Sequence, residues 1–282
     1  MNSDLENYLK ENTPQYLWKY YFQHKDYTLS ATQLLIHIKT FKELTLPKRI
    51  KLLKKDLALA RGTGLTSLYT EAQILLKTSE SQIDYLMREG KDVDTEMMIE
   101  SPQNLFNNCC KSNYWDLVLY ILSFYPIAEV DKHNLVSSVW MNIIITQFSN
   151  LNLEAIQQII VNIANKIGID NQVMDLKILM PLLENQQRVI LENQNLHRTS
   201  WALETFLMCK YNICDLFNIY YDAIKNNELE KNIKADFVYC LSLIIEKNGN
   251  IQNKPIDDIV KWFYENATNM EYFDKVCNII DP

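Results

Sequence analysis

Six cysteines and four histidines are the residues of this chain with the most chemistry to offer. The cysteines stand at Cys109, Cys110, Cys209, Cys214, Cys240 and Cys277. Zinc sites are built from paired Cys-x2–4-Cys knuckles with two further ligands at set spacing. Neither Cys109-Cys110 nor Cys209-x4-Cys214 has such a partner. His24, His37, His133 and His197 are scattered and form no His-Glu-x-x-His pair. The cysteines therefore read as reduced, small core hydrophobes of an intracellular protein. Arg61-Gly62-Thr63-Gly64 has the look of a phosphate-loop fragment, but it lacks the closing Gly-Lys-Ser/Thr and a preceding strand. Glycines just past a helical stripe are better explained as a helix stop.

One local basic patch runs from Lys48 through Arg49, Lys51 and Lys54 to Lys55. On a helix Lys48, Lys51 and Lys55 share a face, opposite Ile50, Leu53 and Leu57. Such a stripe could meet an acidic segment or a phosphate backbone, but charge stripes are ordinarily the solvated side of an amphipathic helix. The carboxylate pairs Glu228 with Glu230 and Asp257 with Asp258 sit at polar helix starts, where nothing would desolvate them for acid–base work. Tyr16, Trp18, Tyr20, Tyr21 and Phe22 are dense, yet Leu17, Tyr20 and Tyr21 fall on one helix face. That is core spacing rather than a base-stacking platform. No catalytic, cofactor-binding or metal-ligating residue is expected, and no cofactor or small-molecule substrate.

The elements that carry these residues are helical almost everywhere. Ala31, Leu34, Leu35, Ile38 and Phe41 follow the 3.6-residue period, as do Leu153, Ile156, Ile160, Ile163 and Ile167. Ile213, Leu216, Phe217, Tyr220 and Ile224 make a third stripe. Ile233, Phe237, Leu241, Ile244 and Ile245 make a fourth, and Ile256, Ile259, Val260, Phe263, Tyr264 and Ala267 a fifth. Start signals agree: Thr13-Pro14, Thr45 with Pro47, Ser101-Pro102, Asn152 and Asn212. Pro181 and Pro255 are expected to open helices. Trp115–Phe124 is apolar on all sides and must be covered by neighbours on more than one side. About a dozen helices joined by short loops are expected, with no fixed-period repeat. The fold class is all-α, an irregular solenoid of stacked helix pairs over 1–282 with no β-sheet. The polar stretch Gly90–Met98 is a possible joint between sub-stacks 1–90 and 95–282.

Composition narrows the classes further. The chain has 282 residues, 48% hydrophobic and 22% charged, enough to bury a large core. Five glycines are too few for the turns and phosphate-cradling loops of α/β nucleotide enzymes. A net charge of −7 argues against direct nucleic-acid binding. The longest apolar run, Leu117–Leu122, is far short of the roughly 20 residues a membrane span needs. The polar, acidic start Met1-Asn2-Ser3-Asp4-Leu5-Glu6 is no secretory signal.

Several segments, in order, resemble the C-terminal helical stack of the non-repetitive, WGA-negative nucleoporin family, large scaffold proteins of the nuclear pore inner ring. Leu17-Trp18-Lys19-Tyr20-Tyr21 is similar to the family's Leu-Trp-x-Tyr-Tyr helix and is followed by Ser30-Ala31-Thr32-Gln33-Leu34-Leu35. Leu46-Pro47-Lys48-Arg49-Ile50-Lys51-Leu52-Leu53 resembles its Leu-x-x-Arg-hydrophobic-x-x-Leu helix. Leu105-Phe106-Asn107-Asn108 and Trp115–Tyr125 follow. Leu135-Val136-Ser137-Ser138-Val139-Trp140-Met141-Asn142-Ile143-Ile144 resembles its Leu-Val-x-x-Leu-Trp-x-x-Ile-Ile helix. Asn107-Asn108-Cys109-Cys110 replaces the family's Phe-Ala-Asp-Pro turn. The family's β-propeller pattern is not in this sequence, so the membrane association of that propeller is not implied here.

What the resemblance implies is a non-enzymatic structural constituent of the pore at the nuclear envelope of the nucleus. It would support nucleocytoplasmic transport of protein and mRNA through contacts with other inner-ring and linker nucleoporins. The alternative is an irregular helical adaptor of a vesicle coat or regulatory complex.

Overall fold

A computed structural model describes residues 3–125, 129–147, 152–194, 200–225, 231–248, 257–266 and 273–280. Among them are fifteen α-helices and no strand. The chain divides into two compact units, Met1–Lys132 and His133–Pro282.

The first unit begins with α1 (Ser3–Asn12), α2 (Leu17–Gln23), α3 (Tyr27–Thr40) and α4 (Leu46–Thr63). It continues with α5 (Thr66–Arg88), α6 (Pro102–Lys111) and α7 (Trp115–Phe124). Each helix packs on its neighbours in sequence: α2 on α3, α3 on α4, α4 on α5, and α7 on both α5 and α6. That nearest-neighbour stacking defines a helical solenoid. The expected stripe of α3 is buried through Ala31, Leu34, Leu35 and Ile38, and the last three cluster with Leu53 of α4 and Ala72 of α5. Leu17, Tyr20 and Tyr21 form a second cluster. No residue of α7 is exposed, because α5 and α6 both cover it and Asp116 pairs with Arg88 of α5 at 2.8 Å.

Gly90–Met98 lies inside this first unit. Leu46 donates its N–H to the Glu96 carbonyl at 2.8 Å, and Gln82 Nε2 donates to the Met98 carbonyl at 3.0 Å. The segment is thereby strapped across α4 and α5.

The helix α8 (Glu129–Gln147) runs across the division. The second unit then holds α9 (Leu153–Ile167), α10 (Leu176–Gln194), α11 (Trp201–Met208) and α12 (Ile213–Ile224). It ends with α13 (Lys231–Asn248), α14 (Asp257–Asn266) and α15 (Phe273–Ile280). Helix α11 packs on α9, α10 and α12, and α13 packs on α12, α14 and α15. Ile156, Ile160 and Ile163 are buried as their spacing requires, and so are Leu216, Phe217, Tyr220 and Ile224. Ile259 and Phe263 of the fifth stripe are buried too, whereas Ile256 and Ala267 lie outside the described residues.

Buried indoles tie the connectors to the stack. Trp140 Nε1 donates to the Val173 carbonyl at 2.8 Å, and Trp201 Nε1 donates to the Leu153 carbonyl at 3.0 Å. Trp140→Phe keeps a ring in place but removes the donor from a buried carbonyl. A loss of about 2 kcal/mol is expected, measured by urea unfolding of the full chain.

Several start signals act as expected. Ser101 Oγ accepts from Asn104 N–H at 3.1 Å, Asn152 Oδ1 from Ala155 N–H at 2.8 Å, and Asn212 Oδ1 from Cys214 N–H at 2.8 Å. Thr13 and Thr45 do not cap with their side chains; there Pro14 and Pro47, already set at the helical φ, start the turn. Pro181 differs from expectation, for it lies inside α10. The helix starts at Leu176, where Asp175 Oδ1 accepts Lys177 N–H at 2.9 Å. Burial of Ile178, Leu179, Met180 and Leu183 carries it through the proline. Pro255 lies outside the described residues.

Candidate functional site

The sequence candidates for chemistry are dispersed. Cys109, Cys209 and Cys240 are buried, and burial pushes the Cys109 and Cys209 thiols up to about 12. They stay protonated near neutral pH, neither nucleophile nor metal ligand. Cys214 departs from the core expectation: it is exposed, in the first turn of α12. Among the described residues no group of three or more His, Cys, Asp or Glu could hold a metal ion. His24 contacts the Tyr20 carbonyl at 2.9 Å and packs on the Tyr20 ring, and His37 packs on Phe41. His197 lies outside the described residues. Gly64 takes φ 71° at the end of α4, the left-handed cap that its sequence context called for. Glu228 and Glu230 also fall outside the described residues. No described helix is long and apolar enough to cross a membrane.

The basic stretch resolves into two kinds of residue. Lys48, Lys51, Lys54 and Lys55 are exposed, with Lys54 3.2 Å from Glu80. Arg49 is buried at 1% exposure. Its Nε donates to the carbonyls of Met97 at 2.8 Å and Leu44 at 3.1 Å, and its Nη2 donates to Phe41 at 2.7 Å. The guanidinium fork thus joins the α3–α4 turn to the strap of the first unit. Ile50 and Leu57, expected on the inward face, are only half-buried. The inward line of α4 is Leu46, Arg49, Leu53, Asp56 and Ala60.

Two desolvated carboxylates were not singled out by sequence. Asp56 is wholly buried, and neither carboxylate oxygen has a hydrogen-bond partner. Burial, then the charge of Glu71, raises its pKa to about 7. Glu184 of α10 is 2% exposed and accepts from Tyr220 Oη and Gln187 Nε2. Burial and the charge of Asp236 raise it to about 7 against the opposing pull of Tyr220 and Arg188. Their signal in the sequence is position alone, each at helical spacing within a buried line. Both are sealed in helix packing, so no substrate reaches them. A poised pKa without access does not make an acid–base site.

A groove of about 830 Å³ in the second unit has room for a ligand. One wall is the 169–175 turn and the start of α10; the other is α12, with Phe237 of α13 contributing. Local chemistry shapes this turn. Gly168 takes φ 91°, Asn171 Oδ1 accepts from Val173 N–H at 3.2 Å, and Tyr211 Oη donates to the Met174 carbonyl. Met174, Met180 and Phe237 are buried beneath the groove, with Leu176, Ile219 and Ala223 half-buried. Asp170, Asp215 and Asp222 line it as exposed residues, Asp175 as a half-buried one, and Lys177 as a cation. An apolar floor with exposed polar edges can hold another protein segment by its side chains.

These features define a class: an all-α helical solenoid with an open groove on its second unit. No family model matches the chain, and no curated protein matches it. Solved structures do share its fold, and those below are all from Chaetomium thermophilum. The Nup170 CTD–Nup145N complex aligns with TM-score 0.73 at 15% identity, over 94% of this chain and 61% of that one. The Nup170 CTD aligns with TM-score 0.70 at 15% identity, over 97% and 64%. A mutant of the same CTD aligns with TM-score 0.68 at 16% identity, over 98% and 58%. This chain therefore spans about three fifths of the length of those structures and has the fold of the aligned region.

Proposed function

We propose that this chain is a structural scaffold element of the nuclear pore inner ring. It supports nucleocytoplasmic transport by holding other nucleoporins, among them linker nucleoporins, rather than by catalysis. The observation that carries this reading is the match of nearly the whole chain, 94–98% of it, to the Nup170 CTD fold. The ordered sequence resemblance, from Leu17-Trp18-Lys19-Tyr20-Tyr21 to Trp140, supports it independently. That one of the matched structures is a complex with Nup145N supports a role in binding other nucleoporins.

The test is location. The full chain, tagged with a fluorescent protein, is expected to concentrate in a punctate rim at the nuclear envelope and to co-localise with inner-ring nucleoporins. Diffuse cytoplasmic signal or Golgi-like structures would count against the pore and favour a coat adaptor.

A further inference from the structure

The groove of the second unit has a chemistry that selects its occupant. Its floor is Met174, Met180 and Phe237, and its exposed rim carries Asp170, Asp215 and Asp222. We propose that it is a docking site for a short, basic, amphipathic segment of a partner protein. Apolar side chains of that segment fill the floor while its Lys and Arg residues meet the rim. This names the partner chemistry for the scaffold function above and rests on that reading.

Charge complementarity decides the sign. Residues 133–282 hold 18 Asp and Glu against 12 Lys and Arg, so the second unit attracts cations from a distance as well as at the rim. Nucleic acid and anionic membrane surfaces are repelled by the same field. Methionine floors adapt to different apolar shapes, which suits a short peptide anchor. The polar groups of the groove are mostly exposed carboxylates and amides at its edges rather than buried donors converging on a point, as an oriented small ligand would require.

The test uses the full chain and two fluorescein-labelled probes of roughly 18 residues with leucines at i, i+3, i+4 and i+7. One probe carries Lys and Arg at the flanking positions; the other carries Glu there. Fluorescence anisotropy is expected to show the basic probe binding about tenfold or more tightly than its Glu counterpart, with affinity falling as salt is raised. D170K/D215K is expected to reverse that preference. Both positions are exposed, and a melting curve like that of the parent confirms an intact fold. Ile219→Asp is expected to abolish binding of either probe. Equal binding of the two probes, or an unchanged preference in D170K/D215K, would overturn the proposal. A chain that sits at the nuclear envelope but ignores the basic probe removes the groove proposal alone. A chain that binds the probe by this pattern but sits elsewhere removes the pore reading and leaves the groove chemistry standing.

Discussion

Arg49→Ala is expected to destabilise the protein by about 4–5 kcal/mol, a loss large enough to unfold the first unit near physiological temperature. The side chain is 1% exposed and donates to the carbonyls of Phe41, Leu44 and Met97. Truncation leaves three inward-facing acceptors without the donor that meets them, and it removes one of the ties on the strap that lies over α4 and α5, leaving those of Leu46 and Gln82. Hydrogen bonds from a charged donor contribute about 1.5–3 kcal/mol each, so the sum exceeds a simple cavity term. Arg49→Lys is expected to recover only part of the loss, because an ammonium cannot reproduce the planar fork that reaches Met97 and Phe41 together. Urea unfolding of the two variants, followed by circular dichroism, measures this. An Arg49→Ala protein as stable as the parent would show that the guanidinium adds nothing to the hold that Leu46 and Gln82 have on the strap.

Asp56→Asn is expected to act in the opposite direction, raising stability at pH 8 by about 2–4 kcal/mol. Asp56 has a pKa of about 7 in the folded chain, because burial and then Glu71 oppose its ionisation, against an ordinary 3.8. The folded state therefore holds a proton that the unfolded state releases. Stability present below about pH 4 falls as the pH rises and is fully lost as the folded carboxyl ionises through about pH 7. The charge that opposes ionisation of Asp56 is that of Glu71 of α5, which is itself paired with Lys39 of α3 at 2.7 Å. Asparagine cannot ionise, so the stability curve between pH 4 and 8 should flatten in the variant. Glu184, also raised to about 7, titrates in the same window, so D56N/E184Q is expected to flatten it further. Thermal melts at pH 5 and pH 8 read the effect. An Asp56→Asn protein with the parent's pH dependence would place the source of that dependence elsewhere.

The two variants also show what the sequence could and could not carry. The stripes of α3, α9 and α12 were legible because apolar residues at helical spacing have one stable place to go, and the glycine stop at Gly64 because a left-handed cap admits few other residues. Helix α4 was harder. Leu46, Leu53 and Ala60 mark its inward line, but Arg49 and Asp56 stand between them, and charges are assigned to solvent unless partners are known. The partners of Arg49 are backbone carbonyls of the α3–α4 turn and of Met97, far away in sequence. Local periodicity contains no trace of them. Pro181 was misplaced for a related reason: its helix is fixed by burial of Leu179, Met180 and Leu183, which outweighs the local preference of proline for a first turn.

The groove was not legible at all. Its walls come from residues 169–181, residues 211–223 and Phe237, and each segment alone is an ordinary turn or amphipathic helix. Only packing brings Met174, Met180 and Phe237 beneath a rim of aspartates. The sequence resemblance to pore scaffolds covered the order of helices and said nothing of this surface. The solved folds carry the same limit, since at 15–16% identity they fix the path of the chain and not its side chains.

The central claim is that this solenoid is a scaffold of the nuclear pore, and native affinity capture tests it most directly. The full chain, tagged and expressed at its natural level, would be isolated under gentle conditions and its partners identified by mass spectrometry. Inner-ring nucleoporins in near-stoichiometric amounts are the expected result. Recovery of vesicle-coat or regulatory subunits in their place would contradict the account and make the chain an adaptor that shares only the fold.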